Sequence, residues 1–335
     1  MRIEAKAVLG FKIEEVFLLV SGHSSSSPGW RESLRWCIYD ASLWSRPMTD
    51  KKKVNKHGLS RKISAAVRRA VRINSGFGCV ICGTGIVQYE HVDPEFKDAE
   101  EHDAAFITLL CPGCHGRVTT GMYSKEKVKR AMKSPAALKE GFSRDCFDFC
   151  GDHPFITIGG ATLRTCRIPL RIFGTDILRI DPPEVEGETF LLSGTFFDTN
   201  GRPTLVIDKN EWRASVDSWD VVTEGRSIVI RNGPGNIELK LVAEPPSGLI
   251  IERLNMTYGC VQISASATEL VIGGPLGGGT FANCFTDGLH VGFELFPLQN
   301  TISGIHPQFH AVAKMVRSQV LYGDNWLPRY MSTLG

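Results

Sequence analysis

Ten cysteines stand in the 335-residue chain, and four of them form two pairs of one kind, Cys79-Val-Ile-Cys82 and Cys111-Pro-Gly-Cys114. Two residues between thiolates let one tight turn aim both sulfurs at a single ion. Two such turns complete a tetrahedral sulfur site, which suits zinc. A sulfur-saturated zinc has no open position, so its expected role is structural. It stabilises a segment too small to have a core of its own. The chemistry must then lie elsewhere, and the long insertion between the pairs is the place for it. That insertion holds Glu90 and His91 side by side in "VQYEHVDP", and His115 directly follows the last cysteine. A carboxylate and two imidazoles are expected to meet beside the zinc, yet apart from it.

The elements that must position these groups are short. Val87, Gln88 and Tyr89 read as the start of a strand. Strand alternation sends Glu90 and His91 to opposite faces. They serve one site only if the strand bends or ends there, and Asp93-Pro94 gives it a place to do so. His115 falls in the first turn of a helix. Ahead of the cysteines, Ile63, Ala66, Val67, Ala70 and Val71 recur at helical spacing. The spacing predicts a helix from Ser60, as N-cap, to about Asn74, ended near Gly76. "SKEKVKRAMKSP" reads as a short basic helix stopped by Pro135. From Lys51 to Tyr89 there are nine Lys and Arg and no acid. Such a block fits either a nucleic-acid-facing surface or a solvated helix face.

The fold class expected is α+β, a small zinc-stabilised module followed by an all-β domain, sandwich-like or layered. Residues 1–47, with the serine-rich "SGHSSSSPGW", read as a poorly ordered extension, and Met48 resembles a natural start. The cysteine module occupies 55–135 and a linker 136–153. A β-rich domain follows over 154–300, with runs such as "FITIGG", "TLVID" and "GLIIERL" bounded by Gly, Pro, Asn and Asp. "GGPLGGGTF" reads as turns rather than a phosphate cradle, because no strand–loop–helix order frames it. Residues 301–335 read as a helix and tail. Trp212 and Trp219 are either a ligand platform or core. No run reaches the roughly 18 apolar residues of a membrane span, and the first residues lack the pattern of a signal peptide. A cytoplasmic protein with reduced thiols is therefore expected. The net charge of +2 says nothing about partners.

The order "GFGCVICG…YEH…ITLLCPGCHGRVTTG" closely resembles the HNH endonucleases, in the variant with two zinc CxxC knuckles. The resemblance covers about residues 60–135 and implies a ββα-metal fold. It implies His91 as general base, Glu90 and His115 as ligands of a catalytic Mg²⁺ or Mn²⁺, and Cys79, Cys82, Cys111 and Cys114 as ligands of structural Zn²⁺. The implied reaction is phosphodiester hydrolysis in DNA, with RNA the other candidate. Arg68, Arg69, Arg72 and Arg117 are the candidates to grip flanking phosphates. The family's middle Asn is expected five residues before Cys111, where Phe106 stands. His102 is then either a substitute orienting group, an extra ligand, or a solvated histidine in the acidic run "KDAEEHD". An HNH module followed by a β-rich domain also resembles a group of bacterial HNH proteins. Two other readings stay open. One is a zinc-knuckle nucleic-acid-binding protein without catalysis, which Phe106 favours. The other is a regulated defence or toxin nuclease whose β domain senses a trigger. The sequence points to no membrane and names no protein partner.

Overall fold

A computed structural model describes residues 54–274 and 277–295. The expectations for 1–47 and 301–335 lie outside the described residues. The described residues begin with a stretch bridged between Val54 and Ser60. Helix α1 (Ala65–Asn74) follows, capped by the Ser64 side chain, which accepts from Val67 N. The expected start at Ser60 is thus too early. The Ser60 hydroxyl accepts from Lys62 N and its carbonyl is engaged by His102, so the backbone there is not free to wind. Ile63 is buried from this extended stretch rather than from the helix.

Strands β1 (Gln88–His91) and β2 (Ile107–Leu110) form an antiparallel pair, with Glu90 opposite Thr108 and His91 opposite Ile107. Helix α2 (Pro112–Thr119) starts at the second cysteine pair. Helices α3 (Lys125–Met132) and α4 (Ala136–Glu140) come next. One face of β2 packs Ile107 and Leu109 against Ile63 and Val71, and Leu110 joins Val80, Val92 and Val128 around the cysteines. Two small apolar clusters thus sit on either side of one short strand pair.

The segment 136–153 is more than a linker. After α4 it forms β3 (Phe142–Cys146), which pairs with Glu211–Ser215 and closes one edge of a seven-stranded sheet. Its register sets Phe142 opposite Ser215 and Cys146 opposite Glu211, and Ser143 is wholly buried within it. That sheet runs as a meander through 168–172, 175–181, 191–197, 203–208 and 211–215, with 291–295 parallel at its far edge. A ten-stranded sheet contains the second meander, from Asp220 to Ala282, and takes in 155–158, 161–164 and 284–287. Both sheets contribute to one core, in which Leu178, Ile207, Leu241 and Ile251 are fully buried. The chain is therefore an α+β protein with a large β domain. The "GGPLGGGTF" run is not simply turns: Gly273 pairs with Gly278 and Gly274 with Gly277 in a hairpin. A Cβ at Gly278 would lie 2.3 Å from the Ile272 carbonyl oxygen, so bare backbone is required there.

The cysteine-bearing part is docked firmly on the β domain, and all described residues fall in one unit. Phe77 is buried within the core that the two sheets share. Trp212 also fills this core and presses on Gly85, where a Cβ would come within 2.2 Å of its ring. Arg72 donates to both carboxylate oxygens of Asp220, at 2.8 and 2.6 Å, and to Tyr89 Oη at 2.7 Å. No helix among the described residues is long and apolar enough to cross a membrane.

Candidate functional site

The sulfur site is built from two local turns. Gly83 N donates to Cys79 O and Cys79 N to Thr84 O, closing the first pair into a knuckle. Val80 N donates to Leu109 O and pins that knuckle to β2. In the second pair Cys111 is the N-cap of α2, and its Sγ accepts from Cys114 N at 3.3 Å. Pro112 suits the first helical position, where no N–H partner is needed. The four sulfurs all lie within 4.8 Å of one another, with Cys82–Cys111 at 3.6 Å and Cys82–Cys114 at 3.9 Å. Four sulfurs about 2.3 Å from a tetrahedral zinc are about 3.8 Å apart, so the donor set fits the ion. Without an ion, Cys79, Cys82 and Cys114 differ in their hold on a proton. A hydrogen bond from Cys79 holds Cys82 down to about 4 and pushes Cys79 up, and burial raises Cys114 to about 12. A cation removes that conflict by taking all four as thiolates.

Beside the sulfurs, a cleft of about 870 Å³ opens over β1 and α2. β1 ends at His91 and the chain turns at Asp93-Pro94. Glu90 and His91, which alternation alone would separate, therefore both line this cleft, and His115 faces them from α2. His115 Nε2 donates to Glu90 Oε2 at 3.1 Å. Two cis ligands of an octahedral ion at about 2.1 Å are about 3.0 Å apart, so this oxygen and nitrogen fit one divalent cation. The other carboxylate oxygen, Oε1, accepts from Lys125 Nζ at 3.0 Å.

His91 has a different partner. Its Nε2 lies 3.0 Å from His102 Nδ1, and His102 Nε2 lies 2.8 Å from the Ser60 carbonyl oxygen. A carbonyl only accepts, so His102 Nε2 carries a proton and donates it. In the neutral ring His102 Nδ1 is then an acceptor, and His91 Nε2–H donates to it. The lone pair of His91 is left on Nδ1. Burial holds the His91 pKa below the usual histidine value, helped by His102 and Arg61 and opposed by Glu90. Phe96 packs edge-on to His91 and stacks on His102, with the Arg61 guanidinium 4.6 Å over its ring.

The four arginines proposed as phosphate grips separate into three groups. Arg68 lines the cleft. Arg69 and Arg72 do not: Arg69 lies 3.6 Å over the Trp219 ring and donates to the Trp219 carbonyl, and Arg72 is committed to Asp220 and Tyr89. These two cations hold α1 to the β domain. Arg117 is exposed away from the cleft, against Tyr123. Trp212 is core, and Trp219 is the platform for an internal arginine rather than for a ligand. Phe106 is half-exposed, and its carbonyl accepts from Val92 N to extend the strand pair, a main-chain role open to any residue. Sequence reasoning missed Lys97 and Lys125 as cleft cations. Lys125 was legible only as one charge of a basic helix, and the turn of the chain after Thr119 aims it back at β1.

No family model, curated protein or solved structure matches this chain.

Proposed function

We propose that the protein is a metal-dependent nuclease and, more narrowly, an HNH endonuclease with two zinc knuckles that hydrolyses DNA phosphodiester bonds. The observation that carries this is the convergence of Glu90, His91 and His115 on one cleft beside the four sulfurs. In this reading Cys79, Cys82, Cys111 and Cys114 hold a structural Zn²⁺, and Glu90 and His115 hold the catalytic ion. The chemistry that Mg²⁺ or Mn²⁺ supplies there when bound is polarisation of the scissile phosphate and stabilisation of the leaving oxygen. His91 Nδ1, bare and weakly basic, takes the proton from the attacking water. His102 is a positioning residue: its bond to Ser60 O fixes its own tautomer, and thereby that of His91. It stands in for the missing Asn as an orienting group. Arg61, Lys62, Arg68 and Lys97 rim the cleft and draw the anionic backbone in without reading bases.

The non-catalytic binding reading keeps one observation in its favour, the Lys125 ammonium seated on Glu90. One experiment separates the two. Zinc-loaded protein and its His91→Ala variant are incubated with supercoiled plasmid and Mg²⁺ or Mn²⁺, with and without EDTA. Cleavage that needs the divalent ion and falls about a hundredfold or more in His91→Ala supports the enzyme. Retained DNA binding without any cleavage supports the binding module, and undiminished cleavage by His91→Ala removes the proposed base.

A further inference from the structure

Lys125 is the first residue of α3, directly after its N-cap. A lysine there faces the positive end of the helix dipole, which disfavours it. Its placement makes sense through β1 instead. The ammonium lies 3.0 Å from Glu90 Oε1 and 3.9 Å from Glu95 Oε1, and the other Glu90 oxygen meets His115. All these side chains are less than half exposed, Glu95 the most at 48%, and all line the same cleft. A carboxylate at the foot of a cleft thus has an internal cation on one oxygen and an imidazole on the other.

The geometry points to Lys125 as a place-holding cation: it keeps the Glu90 carboxylate aimed before a divalent ion arrives, then moves to a phosphate oxygen of the bound nucleic acid. This rests on the reading of Glu90 and His115 as cation ligands. The step is an exchange of ion pairs, with no bond made or broken. A divalent ion on Glu90 and the ammonium repel each other, and the four-carbon stem of lysine lets the charge swing away within the cleft. The space it swings into is the one Arg61 and Arg68 face, where a phosphodiester is the complementary anion. Lys125 therefore lowers the resting affinity for the metal ion and makes metal and substrate favour each other's binding.

The test is calorimetric titration of Mn²⁺ into zinc-loaded wild type, Lys125→Met, Lys125→Arg and Glu90→Gln. Repulsion of a divalent ion by an ammonium about 5 Å away at solvent-like screening is about a tenfold effect. Lys125→Met is expected to bind Mn²⁺ about tenfold more tightly than wild type, Lys125→Arg about as wild type does, and Glu90→Gln not at all. A second readout is the salt dependence of binding to a short DNA duplex with Ca²⁺ present. Its slope in log–log form is expected to fall by about one in Lys125→Met. Equal or weaker Mn²⁺ binding by Lys125→Met overturns the place-holder role, and an unchanged salt slope overturns the phosphate role. No Mn²⁺ binding by wild type and Lys125→Met alike refutes the underlying ligand assignment as well, so the two failures are told apart.

Discussion

Replacing Asp220 by alanine tests whether the β domain and the cleft are one structure. The Asp220 side chain is 4% exposed and that of Arg72 12%. Both guanidinium bonds to the carboxylate are short, at 2.8 and 2.6 Å. Alanine leaves the guanidinium enclosed with only Tyr89 Oη as partner, and an arginine does not escape by losing its proton. Breaking one side of a buried pair costs about 3–5 kcal/mol. With an m-value of about 3 kcal/mol/M in urea, the midpoint should fall by about 1–1.7 M. Joint replacement by Arg72→Met and Asp220→Leu removes both charges and should recover most of the loss, because a buried pair contributes little over apolar groups of similar volume. Urea unfolding followed by both far-UV circular dichroism and zinc release is the assay. A fall of less than about 0.3 M in Asp220→Ala, on the same m-value, would refute the argument that this pair anchors α1 and, through Tyr89, the strand that carries Glu90 and His91.

Three further outcomes follow from the same geometry. Stripping zinc, or replacing Cys111 with Ser, should unfold residues 79–121 while the core between the two sheets persists, as read by hydrogen exchange; a protected, zinc-free knuckle region would contradict the clasp. His102→Ala should lower kcat about tenfold or more with KM and zinc content held, and should change the pH profile of kcat; an unaltered profile would remove the positioning role. Glu238 is buried, and desolvation together with Asp198 pushes its pKa up to about 7 from 4.5. The folded state then binds more protons than the unfolded one between those values, so stability falls as pH rises through that window. Glu238→Gln should accordingly gain about 2–3 kcal/mol on wild type between pH 5 and pH 8, and a pH-independent difference would contradict the assignment.

What the sequence made legible was local. The CxxC spacing announced a sulfur site because two turns of fixed shape carry all four ligands. The adjacency of Cys114 and His115 likewise placed an imidazole in the first turn of α2. Most long β runs were readable from their β-rich composition and their Gly, Pro, Asn and Asp boundaries. Less legible was everything set by distant contacts. Arg69 and Arg72 have the composition of a phosphate grip, yet Trp219 and Asp220, nearly 150 residues on, claim them. The 136–153 segment lacks a strong strand signal, and its pairing depends on a partner at 211–215. His102 reads as one polar residue in an acidic loop until Ser60 O and His91 meet its two nitrogens. Lys125 belongs to the same class, since nothing near it in sequence names Glu90.

The central claim is that a sulfur-bound ion holds together a second, separate cation site. Anomalous diffraction from crystals of the zinc-loaded protein soaked in Mn²⁺, recorded at the zinc and manganese edges, tests it most directly. The expected result is a zinc peak enclosed by Cys79, Cys82, Cys111 and Cys114, and a distinct manganese peak between Glu90 Oε2 and His115 Nε2 with Lys125 displaced. A single zinc peak, with Glu90 still paired to Lys125 at saturating Mn²⁺, would contradict it.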